Sequence, residues 1–115
     1  MRNPLETRVD TPQAQGDGSY VVVRRLTWGE RRETRAKFVQ MVKDDDPGHD
    51  EALYEFVFGS LVSWNWKDAA GKLLPLPQTP DDLEDYTEEE VNAILKIGGD
   101  LIRGNILYKP EDEKK

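Results

Sequence analysis

The sequence predicts a mainly helical α+β domain, with about three helices packed on a small antiparallel β-sheet or hairpin. Three observations predict it. Tyr20–Arg25 reads Y-V-V-V-R-R, and β-branched residues in succession favour a short strand. Thr27–Glu30 and Thr87–Glu90 both have the Thr-x-x-Glu spacing that caps a helix N-terminus reciprocally, and apolar residues at helical spacing follow each. Residues 63–77 alternate around W-N-W, turn at D-A-A-G and return through L-L-P-L-P, the pattern of a hairpin.

Taken in order, residues 1–18 are polar, with Pro12, Gly16 and Gly18, and are expected to form an unstructured arm or a segment that folds on a partner. A strand is expected at 20–25 and a helix at 28–42. The apolar residues of that helix, Trp28, Ala36, Phe38, Val39 and Val42, cover part of one side, and Arg31, Arg32, Arg35 and Lys37 make the rest basic. Lys43–Asp50, K-D-D-D-P-G-H-D, breaks the chain. The helix at 51–63 carries Leu53, Tyr54, Phe56, Val57, Phe58, Leu61 and Val62, is apolar on most sides, and is expected to be the central core helix. Strands are expected at 64–66 and 73–76. Pro75 and Pro77 donate nothing to a ladder, so the second strand is confined to an edge.

Thr79-Pro80 caps a single turn. The last helix, 87–103, presents Val91, Ile94, Leu95, Leu101 and Ile102 on one face. Gly98-Gly99 costs that helix about 1 kcal/mol per glycine relative to alanine, and marks a kink or a close helix crossing. Gly104 suits a C-cap. The single domain therefore spans 19–108, and the tail 109–115 is expected to be disordered. The expected core is Val22, Phe38, Val42, Leu53, Phe56, Val57, Leu61, Trp64, Leu74, Val91, Ile94, Leu95, Leu101 and Ile102. Trp64 and Trp66 share one side of a strand, with at least one of them in the core.

Composition excludes much chemistry. The 115 residues include no cysteine, which removes disulfides, thiolate nucleophiles and zinc–thiolate sites and fits a reducing cytosol. No apolar run reaches the roughly 18 residues needed to cross a bilayer. No signal peptide is recognisable, and the expected location is the cytoplasm. The lone histidine, His49, reads as a solvated loop residue with no nucleophile placed beside it. Asp44, Asp46, Asp50 and Glu55 occupy positions 1, 3, 7 and 12 of a calcium-loop spacing, but the glycine required at position 6 is His49, so a charged turn is expected there. Neither Gly71-Lys72 nor the glycines at 98, 99 and 104 match a nucleotide-binding loop. No cofactor, no metal and no enzymatic activity are expected.

Charge is segregated. Residues 24–43 hold seven basic and two acidic side chains, whereas residues 81–90 hold seven acidic ones and no basic one, within a chain of net charge −7. Phosphate neutralisation supplies most non-specific nucleic-acid binding, so an acidic chain is not expected to bind nucleic acid. The candidate partner-binding residues are Trp28, Arg31 and Arg35, which combine arginines at i, i+4 with an aromatic, together with the acids Asp81, Asp82, Glu84 and Asp85.

Two stretches resemble the tail assembly chaperones of long-tailed bacteriophages. One is Y-V-V-V-R-R-L-T-W-G-E-R, Tyr20–Arg31. The other is L-V-S-W-N-W-K-D-A-A-G-K-L-L-P-L-P, Leu61–Pro77, followed by an acidic helix start and V-N-A-I-L-K-I. The resemblance runs from about residue 20 to 102 in order and spacing, and the turn Asp68–Gly71 is less acidic than in relatives. It implies a non-enzymatic protein that escorts the tape-measure protein while tail-tube subunits polymerise around it, and that self-associates. Two other classes remain open: a tail connector or terminator retained in the particle, and an acidic regulator of a host enzyme. The second needs carboxylates along one surface, against which the net basic 24–43 segment argues.

Overall fold

A computed structural model describes residues 5–106 and is mainly helical, with a three-stranded antiparallel sheet in the order β1-β2-β3. The strands are β1 (Glu6–Asp10), β2 (Tyr20–Arg24) and β3 (Leu61–Trp64). The helices are α1 (Pro12–Gln15, one turn), α2 (Trp28–Lys43), α3 (His49–Ser60) and α4 (Glu88–Arg103), with a 3-10 turn at Pro80–Leu83. The tail 109–115 and the last two residues of the expected domain, 107 and 108, lie outside the described residues.

Both capping boxes form. The Thr27 amide donates to Glu30 Oε1 at 2.9 Å and the Glu30 amide to Thr27 Oγ1 at 3.2 Å. The corresponding distances at Thr87 and Glu90 are 2.8 and 3.1 Å. These pairs satisfy amides that have no intrahelical partner, which is why both helices start where they do. Gly104 ends α4 in the left-handed region at φ 76°, as a C-cap glycine should.

The first correction concerns the arm. Instead of being unstructured, residues 6–10 pair with β2, from Glu6 opposite Arg24 to Asp10 opposite Tyr20, and Thr7, Thr11 and Ser19 are buried. Thr11 and Ser19 reach the interior because each is hydrogen-bonded. Thr11 Oγ1 accepts from the indole Nε1 of Trp66 at 2.9 Å and lies 3.1 Å from Ser19 Oγ, while the Ser19 hydroxyl donates to the carbonyl of Thr11 at 2.7 Å. Gln15 acts as a piece of strand: its Oε1 accepts from the Lys67 amide at 2.8 Å and its Nε2 donates to the Lys67 carbonyl at 2.9 Å. The same Nε2 donates to Glu90 of α4.

The second correction is one of phase. Val21 and Val23 are fully buried and Val22 is not, because successive strand residues face opposite sides and three valines in a row leave the phase open. The hairpin is also shorter than expected. Asp68–Gly71 turns, with the Gly71 amide on the Asp68 carbonyl at 2.9 Å and Asp68 Oδ1 accepting from the Ala70 and Lys72 amides. Beyond a single bridge between Lys67 and Leu73, however, 73–76 forms no strand. Pro75 and Pro77 lack the amides to extend it. Pairing with β2 instead uses 61–64, and Asn65 prolongs it through its side chain, accepting from the Tyr20 amide at 2.8 Å.

The core lies between the sheet, α3 and α4. Trp64 and Trp66 stack at 4.4 Å between ring centroids, and both are buried. The central helix is α4, not α3. Its buried residues Glu90, Ala93, Ile94, Ile97, Gly98 and Leu101 follow i, i+3, i+4, i+7, i+8, i+11, a continuous stripe. Gly98 marks a close crossing: a Cβ there would stand 2.1 Å from Val57 Cγ2 of α3. Of the expected core, Val42 is 64% exposed, and Val22, Leu53, Phe56, Leu74, Val91, Leu95 and Ile102 are only half-buried.

Candidate functional site

At 100° per residue, Trp28, Arg31, Arg35, Phe38, Val39 and Val42 fall within one sector of α2 about 100° wide. Such a sector normally faces a core. Here only Phe38 is buried, its ring edge-on to Phe56 at 6.1 Å and to His49 at 5.7 Å. Trp28 is 68% exposed and Val39 45%. The arginines explain why: a guanidinium in the middle of an apolar stripe cannot be buried unpaired, so Phe38 alone of the stripe is buried and Trp28, Val39 and Val42 are left to solvent.

Between α2 and the end of α4 lies a groove of about 440 Å³. Phe38, Val39, Val42 and Ile102 supply its apolar lining, and Arg35, Lys43 and Arg103 its cations, with His49 at one edge. A second hollow of about 320 Å³ adjoins the same end of α4, lined by Trp28, Arg31, Gly104 and Ile106 among others. Arg31 lies across the C-cap, so a Cβ on Gly104 would meet its Cδ at 3.0 Å. Cations at this end oppose the negative pole of the helix dipole. Arg103 also bridges Asp100 at 3.1 Å. Partial burial would raise the Asp100 carboxyl, but hydrogen bonds from Lys96 and Arg103 outweigh it and hold the pKa below the ordinary value.

The acidic candidates are elsewhere. Asp81, Asp82, Glu84 and Asp85 are exposed in and after the 3-10 turn, ahead of the N-terminus of α4. Asp82 caps that turn, with Oδ2 accepting from the amides of Gln78 and Thr79 at 2.9 and 3.2 Å, and those bonds lower its pKa. Beside the acids, Leu74, Leu76 and Tyr86 line a hollow of about 390 Å³ that Asp82 and Asp85 flank, and Leu73 is 63% exposed. The structure therefore gathers Trp28, Arg31 and Arg35 at one end of α4 and the four acids at the other, about 24 Å away at 1.5 Å per residue.

His49 is not a loop residue. It opens α3, with Nδ1 3.3 Å from Asp50 Oδ1 and its ring against Phe38. The hydroxyl of Ser60 donates to the Phe56 carbonyl, as that of Ser19 does to backbone carbonyls, so both are occupied within the fold. Among the described residues no group of three or more His, Asp or Glu side chains is arranged to hold a metal ion, and no helix is long and apolar enough to cross a membrane. The acids at 44, 46, 50 and 55 are divided between a turn and α3. Sequence reasoning assigned Val42 and Ile102 to the core and overlooked Lys43 and Arg103. The available signal was the placement of Arg31 and Arg35 inside the apolar sector.

Fold and groove together define a small α+β domain, mainly helical, that presents a cation-rimmed apolar groove on one side of its central helix. Protein-family models, curated proteins and solved structures were all compared with the chain, and none matches.

Proposed function

We propose that the protein is a non-enzymatic binding protein that docks a partner protein on α2, and that it serves as a tail assembly chaperone for the tape-measure protein of a long-tailed bacteriophage in the host cytoplasm. The observation that carries the binding role is the exposed stripe of α2, apolar at Trp28, Val39 and Val42 and cationic at Arg35, with the half-buried Arg31 beside it. Exposed apolar side chains interleaved with arginine are the composition of an interface. The partner's identity draws its support from the resemblance of Tyr20–Arg31 and Leu61–Pro77 to such chaperones.

Co-expression with the tape-measure protein of the same genome tests this reading. The wild-type chain is expected to co-purify with it, and a Val42→Asp, Arg35→Glu variant of unchanged circular dichroism to lose it. Absence of co-purification from the wild type overturns the assignment. Mass spectrometry of purified particles separates an escort from a connector or terminator, because an escort is absent from the finished particle.

A further inference from the structure

The chain leaves α4 in a fixed direction. Gly104 turns it at φ 76°, and the Asn105 amide closes the turn by donating to the Asp100 carbonyl at 2.8 Å. Ile106 then packs against the core and lines a hollow with Trp28 and Arg31, at the start of α2. One turn further along α2, at Arg35, the groove between α2 and α4 begins, with Phe38, Val39, Val42 and Ile102 set among Arg35, Lys43 and Arg103. Residues 107–115 continue from Ile106 and read L-Y-K-P-E-D-E-K-K, two apolar residues followed closely by three consecutive acids. We propose that this segment folds back along α2 and docks in the groove of its own chain, with Leu107 and Tyr108 on the apolar lining and Glu111–Glu113 on the cations.

Reach and charge select this occupant. Along α2 the rise from Arg31 is about 12 Å to Val39 and about 18 Å to Lys43, at about 1.5 Å per residue. An extended chain starting level with Arg31 covers about 3.3 Å per residue, which brings Pro110 beside Val39 and Glu111–Glu113 beside Lys43. No carboxylate among the described residues bridges Arg35 or Lys43, and the acids of 81–90 stand about 24 Å away at the other end of α4. A segment tethered this closely has an effective concentration in the millimolar range, so a weak contact is enough to hold it. The inference goes beyond the escort role. The tail covers the apolar stripe of α2 until a partner protein displaces it, and the partner's apparent Kd rises in inverse proportion to the fraction of chains with an open groove.

Disulfide trapping in the full chain tests it, because the chain has no cysteine of its own to interfere. Val39→Cys is combined with Pro110→Cys, and the control combines Lys37→Cys with Pro110→Cys. Lys37 is exposed at nearly the same height of α2 as Val39 but about 160° around the helix. Both helix positions are exposed, so both pairs should keep the wild-type circular dichroism. In oxidised glutathione the groove pair should close an intramolecular disulfide about tenfold faster than the control pair, or more. Reversing the acids together (Glu111→Lys, Asp112→Lys, Glu113→Lys) should remove that advantage, and Arg35→Glu should reduce it from the groove side. Equal rates for the two pairs overturn the proposal. So does an advantage that survives both charge reversals, or a groove-pair disulfide that forms between chains and appears as covalent dimers. The tape-measure protein takes no part in this measurement, so its result and that of the escort reading stand separately.

Discussion

The helices α2 and α4 begin alike and end up differently. Each has 16 residues and each starts from a complete Thr-x-x-Glu box, yet α4 buries six residues and α2 one. Local sequence thus decides where a helix starts, while the composition of its apolar sector decides whether it becomes core. In α4 the sector is aliphatic and small, and Gly98 lets α3 approach closely. In α2 two arginines interrupt the sector, and it remains a surface. The difference separates a helix that holds the fold together from one that the fold displays.

Truncation should break the symmetry most clearly. Ile94 is fully buried in α4, so Ile94→Ala should cost about 2–5 kcal/mol in denaturant unfolding. Val42, 64% exposed in α2, should give a Val42→Ala change within about 0.5 kcal/mol. Equal losses would mean that α2 is part of the core.

The adjacent glycines sharpen the comparison within α4. In Gly98→Ala the new methyl would meet Val57 Cγ2, a branched atom of a fully buried side chain, and overpacking of about 1–3 kcal/mol exceeds the helix-propensity gain of about 1. In Gly99→Ala the methyl meets the guanidinium end of Arg103, which can move aside. That variant should be neutral or stabilised by up to about 1 kcal/mol in the same unfolding measurement. Stabilisation by Gly98→Ala would mean that the crossing is looser than 2.1 Å implies.

The caps come next. Thr27→Ala and Thr87→Ala should each cost about 1 kcal/mol. Thr87→Ala should cost more, because Glu90 is buried and also receives Gln15, so loosening the box disturbs the contact of the N-terminal segment with α4. Equal costs would show that Gln15 holds Glu90 without help from the cap.

The starts of α2 and α4, the Asp68–Gly71 turn and the Gly104 cap were legible because each depends on side chains within a few residues of one another. What was illegible depends on distant partners. Strand β1 is polar and precedes two glycines, and only its pairing with β2 and the Thr11–Trp66 hydrogen bond make it structure. The phase of Val21–Val23 and the central place of α4 are likewise set by what packs against them. In the candidate site, Arg31, Arg35 and Trp28 were legible from spacing. Lys43, Ile102 and Arg103 were not, because the groove forms only when the end of α2 packs beside the end of α4, and Lys43 and Ile102 stand 59 residues apart in sequence.

Silent at neutral pH, and confined to alkaline conditions, is the titration of Tyr86 at the acidic end. Burial, followed by the carboxylates of Glu90 and Asp82, raises its pKa from 10.0 to about 12. A folded-state pKa above the unfolded value means that the unfolded chain loses this proton first. The contribution to stability is therefore complete below pH 10 and is lost as pH rises towards about 12. At the cationic end the sign reverses: the lowered pKa of Asp100 gives a contribution present above the unfolded carboxylate pKa of 3.8 and lost on further acidification. Tyr86→Phe should flatten the alkaline limb of stability against pH and remove a phenol titrating at about 12 from an ultraviolet titration, leaving the acid limb unchanged. Asp100→Asn should do the converse. A phenol at Tyr86 that titrates with an ordinary midpoint near 10 would mean that the hollow beside Leu74 and Leu76 is open to water, and that the acidic end is a solvated face without an apolar floor.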